Sequence, residues 1–384
     1  MELSEIAQNI LTVFAVACLG YLLGRIKIWG ISLGSTGIFL VGLLFGHLGV
    51  STPRVLQDIG LVLFIAATGL SAGPGFIQRI KRSGSAYIVL CLTTTIVGCL
   101  LCVLAIKIGH LAAPLAVGIM AGSFTTSPGF AAAQEAVRSN VEAVGQVSAG
   151  YGLIYPIGVV CTVLFIQIVP RLLHANMAKE RRLIAAETSN ANQKQPQMKP
   201  NSFRIDKYGL SIFSIVVVLG ILLGSVGIPL PGGGRFALGL TGGPLAIGLI
   251  FGHFAHKHPG LLTVDSKLIG PIEEIGLLLF FADAGIDGGH GVAKILTAYG
   301  ITPILYGLLM VITPLVIGYL VFRFYLKLPL LNGLSALTGS MTSTAALAVL
   351  TQQAQTDSIA AAYATTYPLA LILMVLVMQF LIVL

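Results

Sequence analysis

The chain has 384 residues, 56% hydrophobic and only 9% charged, with a net charge of +8 and a mean hydropathy of +0.94. A soluble domain carries about 25% charged residues, so the composition excludes a water-soluble enzyme or binding domain. The excess of Lys and Arg reads as basic loops against anionic lipid, not as a nucleic-acid footprint.

Six apolar segments come first, near 7–25, 31–50, 57–77, 85–107, 113–134 and 147–170. Runs of this length match a bilayer core crossed by a helix. The first lacks a basic leader and reads as a span, not a cleavable signal. A polar stretch rich in Gln, Asn and Lys follows, with Pro196 and Pro200, and has the composition of a linker. Six more apolar segments run near 208–228, 236–254, 268–290, 297–322, 332–352 and 358–384. The chain therefore divides into a membrane repeat at 1–174, a linker at 175–207 and a second membrane repeat at 208–384. Cys18, Cys91, Cys99, Cys102 and Cys161 all lie in apolar runs without metal-ligand spacing, and read as small packing residues.

The two halves match in register. Gly42-Leu-Leu-Phe-Gly-His47 answers Gly248-Leu-Ile-Phe-Gly-His253, and Asp58-Ile-Gly-Leu-Val-Leu-Phe64 answers Glu274-Ile-Gly-Leu-Leu-Leu-Phe280. Gly69, Gly73 and Gly75 answer Gly285, Gly289 and Gly291, and the Tyr155-Pro156 pair answers Tyr367-Pro368. Internal duplication of this kind is common in transporter folds.

Charge sets the topology. If 113–134 enters and leaves on one side, 17 of the Lys and Arg residues fall inside, against Arg54, Lys107, Arg138, Arg235 and Lys294 outside. Full crossing by all six segments would put Arg79, Lys81 and Arg82 outside, against the positive-inside rule. The expected fold class is thus an all-α polytopic membrane protein of two inverted repeats. Each repeat has five transmembrane helices plus a re-entrant hairpin or a broken helix.

The sharpest chemical signal is the stretch 122–133, Gly-Ser-Phe-Thr-Thr-Ser-Pro-Gly-Phe-Ala-Ala-Ala, which returns at 339–348 as Gly-Ser-Met-Thr-Ser-Thr-Ala-Ala-Leu-Ala. Non-helical backbone at membrane depth is tolerated only inside protein or around a wet cavity. Half-helix N-termini offer free N–H donors and partial positive charge, which suit a carboxylate. Thr125, Thr126, Ser127, Pro128, Thr342, Ser343 and Thr344 are therefore the expected substrate contacts. The Gly-rich run 69–75 and its twin 285–291 read either as helix ends or as a second broken element on the same cavity, which adds Ser71, Gly73 and Gly289. Asp283 and Asp287 are charges one turn apart in an apolar segment, and charge there is usually functional. They are the candidate ion-coupling pair, the alternative being a wet helix end. Asp58, Glu273 and Glu274 stand at segment starts and read as solvated. His47 and His253 read as interfacial. No Lys or Arg falls within the middle of a segment, so an anion would rest on backbone dipoles and hydroxyls. No metal site, cofactor site or enzymatic motif is evident.

The residues 69–76, 123–132 and 339–344, with the two Tyr-Pro pairs, resemble the aspartate:alanine exchanger family of bacterial permeases. More distantly they resemble the cation/proton antiporter and bile-acid transporter superfamily. The resemblance implies an antiporter of amino-acid or dicarboxylate anions, such as aspartate, alanine, glutamate or succinate, in the bacterial inner membrane. The charge count puts the termini in the periplasm and the linker in the cytoplasm, and the expected assembly is a homodimer. Alternating access would move 57–134 and 268–352 against the remaining helices. Two departures stand out. The large cytoplasmic ligand-sensing insert of the family is missing, and the proline expected in the second signature is Ala345. The rival readings are a sodium or proton antiporter using Asp283 and Asp287, and a membrane receptor or assembly subunit that does not transport.

Overall fold

A computed structural model describes residues 4–28, 31–32, 34–74, 85–175, 180, 206, 208–229, 235–257 and 264–382. The Gly75 end of the first Gly-rich run, the basic cluster 79–82 and nearly all of the linker lie outside these residues. Six described helices are long and apolar enough to cross a membrane. They include α1 (Glu5–Gly24), α3 (Arg54–Ala72), α4 (Ser85–Lys107) and α7 (Val141–Leu172). The others are α11 (Thr302–Leu320), which runs on in a π-turn to Tyr325, and α14 (Ala360–Leu381). The chain is a multi-pass membrane protein.

Shorter helices are α2 (Thr36–His47), α5 (Ala113–Ser123), α6 (Ser127–Ala136) and α8 (Leu210–Ser225), with α12 (Leu330–Ser340) and α13 (Thr344–Ala354) later in the chain. The rest are α9 (Gly239–Lys257) and the 34-residue α10 (Ser266–Tyr299). Two tiny antiparallel pairs, Lys27–Ile28 with Ile31–Ser32 and Ile228–Pro229 with Arg235–Phe236, close the turns after α1 and α8. Asp206 opens α8. Its carboxylate accepts from the Ser211 hydroxyl and from the N–H groups of Leu210, Ser211 and Tyr208, and these bonds hold it down at about 2.

The helices form two bodies. One is a panel in which α1, α2, α10, α3, α9 and α8 lie side by side in that order. The other gathers α4, α11, α7 and α14 around the α5–α6 and α12–α13 units. This corrects the grouping expected from sequence: segments 57–77 and 268–290 belong with the panel, whereas 147–170 and 358–384 hold the broken units. The reason is glycine packing, which brings helix backbones close enough to lock neighbours together. In the panel, Gly42 and Gly46 of α2 lie on the backbone of α10 at Ala282–Ile286, and Gly69 and Gly73 lie on the backbone of α9 at Leu245–Gly252. Register increases together in both cases, so α2 runs parallel to α10 and α3 parallel to α9. Gly60 and Gly276 set α3 antiparallel to α10.

The second Gly-rich run is therefore no break. Residues 285–291 lie inside an uninterrupted α10, where Gly289 meets Leu43 O and Gly46 Cα. In the first run, Gly73 caps α3 while its Cα face sits on Gly252.

Candidate functional site

The two polar stretches do break. Phe124–Thr126 separate α5 from α6, and Met341–Ser343 separate α12 from α13. Gly118 sits on Val147, Gly122 on Tyr151, and Gly158 on Gly122, so α5 and α7 run parallel. The intervening α6 must then reverse direction, which makes α5–α6 a hairpin that enters and leaves on one side. The second unit obeys the same logic. Ser335 donates to Ile359 O (2.6 Å), and Gly339 sits on Tyr363 and Thr366, so α12 runs parallel to α14 and α13 returns.

The tips share one geometry. Thr125 has φ 51° and Thr342 φ 50°, a left-handed conformation that is a true outlier for a β-branched residue. Thr126 Oγ1 accepts from Gly129 N (3.2 Å) and Ser343 Oγ from Ala346 N (3.4 Å), so each caps the returning arm. Thr125 Oγ1 donates to Met341 O (3.1 Å) and Thr342 Oγ1 donates to Phe124 O (2.8 Å). The two hairpins thus hold each other tip to tip. Ala345 in place of the expected proline does not change the bend. It adds a donor instead: the N–H groups of Thr344 and Ala345 open α13 without intrahelical acceptors, whereas α6 has Pro128 at the matching place.

A cavity of about 140 Å³ lies against these tips. Thr125, Ser127, Pro128, Thr342, Ser343 and Thr344 line it, with Tyr155 and Tyr367 of the Tyr-Pro pairs, Phe64, Phe281 and Glu273. Six of the expected substrate contacts therefore come together at the cavity. Thr126 is fully buried behind the tip as a cap. Ser71, Gly73 and Gly289 are not among the cavity's lining residues. Ser71 is exposed on α3, and the two glycines face neighbouring helix backbones.

Asp283 and Asp287 are also not among the cavity's lining residues, although Phe281, two residues before Asp283, is. They stand ten and fourteen residues after Glu273 on α10, roughly 15–21 Å along the axis at 1.5 Å per residue. Thr52 donates to Asp283 Oδ1. Each aspartate keeps one buried Oδ2 without a hydrogen-bond partner.

Glu273 is the residue that sequence reasoning missed. Its place at a segment start reads as solvated, yet its side chain lines the cavity and accepts from Thr68 Oγ1 (2.9 Å). The neighbouring Glu274 turns the other way and accepts from Tyr21 (3.0 Å). The signal lay in the repeat: Gln57 occupies the matching position of α3, and there it donates to Gln134 Oε1 (3.2 Å).

The two flanks of the cavity differ. On the α6 side, Glu135 accepts from the N–H groups of Leu240 and Thr241 (2.8 Å to Thr241) and from Thr241 Oγ1 (2.7 Å), at the start of α9. Arg138 pairs with Asp58, and Arg54 donates to Arg138 O (3.0 Å). Phe130 stacks on Tyr151 at 4.2 Å, with Phe39 and Phe280 set against Phe130 at 5.6 Å. On the α13 side, Thr344, Ala348 and Gln352 are exposed. These contacts tie the α6 flank together around a second, smaller pocket that Gln57, Asp58, Ala131, Glu135 and Arg138 help to line, whereas the start of α13 is exposed.

Comparison with known proteins agrees with this architecture. The family described as "Predicted Permease Membrane Region" (Asp-Al_Ex) matches residues 12–171 and 212–383. An uncharacterized transporter of Bacteroides fragilis is 23% identical over 519 aligned positions, covering 96% of this chain and 97% of its own length. One from Desulfotalea psychrophila is 25% identical, covering 98% and 97%. A third, from Bacteroides thetaiotaomicron, is 32% identical over 170 residues, 43% of this chain. The first two alignments are longer than the 384-residue chain, so those relatives carry more than a hundred residues that it lacks. The chain belongs to the Asp-Al_Ex family of predicted permease membrane regions and is a transporter-family protein.

Proposed function

We propose that the chain is a secondary exchanger of small carboxylate-bearing molecules, amino acids or dicarboxylates, which it binds between the two hairpin tips. One observation carries the reading. Two re-entrant hairpins bring strained, hydroxyl-rich tips and unpaired helix N–H donors together at a cavity, and none of its described lining residues is Lys or Arg. Such a site offers a carboxylate hydrogen bonds and positive dipole ends without a fixed cation. The contacts that tie the α6 flank to the panel, and the exposed start of α13, support alternating access, with the hairpin body moving against the panel in an elevator-like step. The opposed courses of α2 and α9, and of α3 and α10, support an inverted repeat. Loop charge supports a cytoplasmic face on the α13 side and periplasmic termini in an inner membrane. The exposed apolar residues of α1 and α8 leave lipid or a second copy as their cover.

A sodium or proton antiporter is the second reading, favoured by the unpartnered oxygens of Asp283 and Asp287. Counterflow decides between them. Liposomes loaded with unlabelled aspartate or succinate should accumulate the labelled compound faster than empty ones. Sodium-dependent proton flux without organic-anion flux would overturn the proposal in favour of the antiporter. Ligand-dependent stabilisation without any flux would make the protein a receptor.

A further inference from the structure

The cavity contains one charge of the wrong sign for a simple anion site. Among its described lining residues Glu273 is the only ionisable carboxylate, and no lysine or arginine offsets it. Packing does not demand an acid there. The matching position on α3 is Gln57, a neutral amide, which is buried and donates to Gln134 Oε1 of α6. Thr68 Oγ1 donates to Glu273 Oε1 and also lies 2.9 Å from Phe64 O, so the carboxylate is held in place on the wall of the cavity. The same cavity is lined by the N-terminal residues of α6 and α13. Donors at the tips and an acceptor on α10 form a site with two poles. A dianion would satisfy the first pole and be repelled by the second. A molecule with a carboxylate at one end and an ammonium near it satisfies both.

We propose that Glu273 receives the ammonium group of an α-amino acid whose carboxylate rests on the hairpin tips, so that this member selects amino acids over their ammonium-free analogues. The proposal rests on the exchanger reading above and narrows it from two substrate classes to one.

The test compares L-aspartate with succinate, which has the same carbon skeleton and both carboxylates but no ammonium. The purified full chain is reconstituted in liposomes, and half-saturating concentrations for counterflow of each compound are measured in wild type, Glu273→Gln and Thr68→Val. Wild type should favour aspartate over succinate at least tenfold. Glu273→Gln should weaken aspartate at least tenfold and leave succinate equal or better, so the preference collapses. Thr68→Val, which frees the carboxylate without removing it, should fall between. Because the aspartate-to-succinate ratio is taken within one preparation, loss of folded protein in a variant cancels.

An unchanged ratio in Glu273→Gln overturns the assignment. So does a wild type that takes both compounds equally, although the exchanger reading then stands. If Glu273→Gln instead abolishes the pH dependence of succinate exchange at an unchanged ratio, the carboxyl carries a proton and not an ammonium, and the assignment fails. A wild type that exchanges neither compound removes the exchanger reading and this inference together.

Discussion

At the scale of single residues, the site depends on two threonines in a backbone conformation that β-branched side chains avoid. Thr125 and Thr342, at φ 51° and 50°, each hold strain of about 1–3 kcal/mol. The reciprocal bonds to Met341 O and Phe124 O are what keep them there. Thr125→Val or Thr342→Val keeps the shape but removes the donor and orphans a buried carbonyl, at a cost of about 1–3 kcal/mol. Each should reduce the initial rate of counterflow at least tenfold at normal membrane expression; wild-type rates in both would show that the tips need no such lock. Thr126→Val and Ser343→Ala remove the caps of the returning arms, which contribute about 0.5–2 kcal/mol each. They should also lower transport per molecule without loss of expression. The tips were legible in sequence because hydroxyls, Gly and Pro interrupt an apolar run twice. Glu273 was not. Two adjacent glutamates near a segment start read as wet, and only the helix phase, with Glu273 toward Thr68 and Glu274 toward Tyr21, tells which one turns inward.

At the scale of elements, glycine has two uses that sequence alone does not separate. It loosens a helix, or it admits a neighbour's backbone. The runs around Gly73 and Gly289 were read for the first use, and α10 shows the second. A Cβ on Gly46 would lie 1.9 Å from Ile286 O, and one on Gly289 2.1 Å from Leu43 O. Neither backbone can yield without parting α2 from α10. Gly46→Ala and Gly289→Ala should therefore lower thermal stability in detergent by the equivalent of about 1–3 kcal/mol or more. Gly270→Ala, in the same α10 but with open space around it, should leave the melting temperature unchanged. Equal effects at all three positions would contradict the packing role. The hairpins, by contrast, were half legible. Loop charge demanded a segment that re-enters, but the parallel course of α5 with α7 was needed to decide between a hairpin and a broken crossing helix.

At the scale of the whole molecule, hydrogen bonds and an ion pair tie the two bodies together on the α6 flank of the cavity, while the start of α13 is exposed. The pieces of the seal differ in weight. The Arg138–Asp58 pair is largely exposed, with side chains 46% and 32% accessible, and pairs of that kind contribute about 0–1 kcal/mol. Glu135 is stronger in kind, since its carboxylate takes several hydrogen bonds at the N-terminus of α9. Glu135→Gln should open the α6 flank and raise the reactivity of a thiol placed at buried Ala131 toward a membrane-impermeant reagent, whereas Arg138→Ala should change it little. Greater exposure in Arg138→Ala than in Glu135→Gln would mean that the ion pair holds the flank. The grouping of helices into these bodies was the least legible feature of the sequence, because hydropathy marks which segments cross and says nothing about their neighbours.

If the tips of the two hairpins hold the substrate, a thiol at the start of α13 lies beside it, on the flank from which the cavity is entered. A single cysteine at exposed Thr344, in a chain whose five native cysteines are replaced, reports on both. An impermeant thiol reagent should label it from the linker side of the membrane, and aspartate should slow the labelling in a saturable manner. Labelling from the opposite side alone, or labelling that neither aspartate nor succinate affects in a protein that still exchanges them, would contradict this expectation.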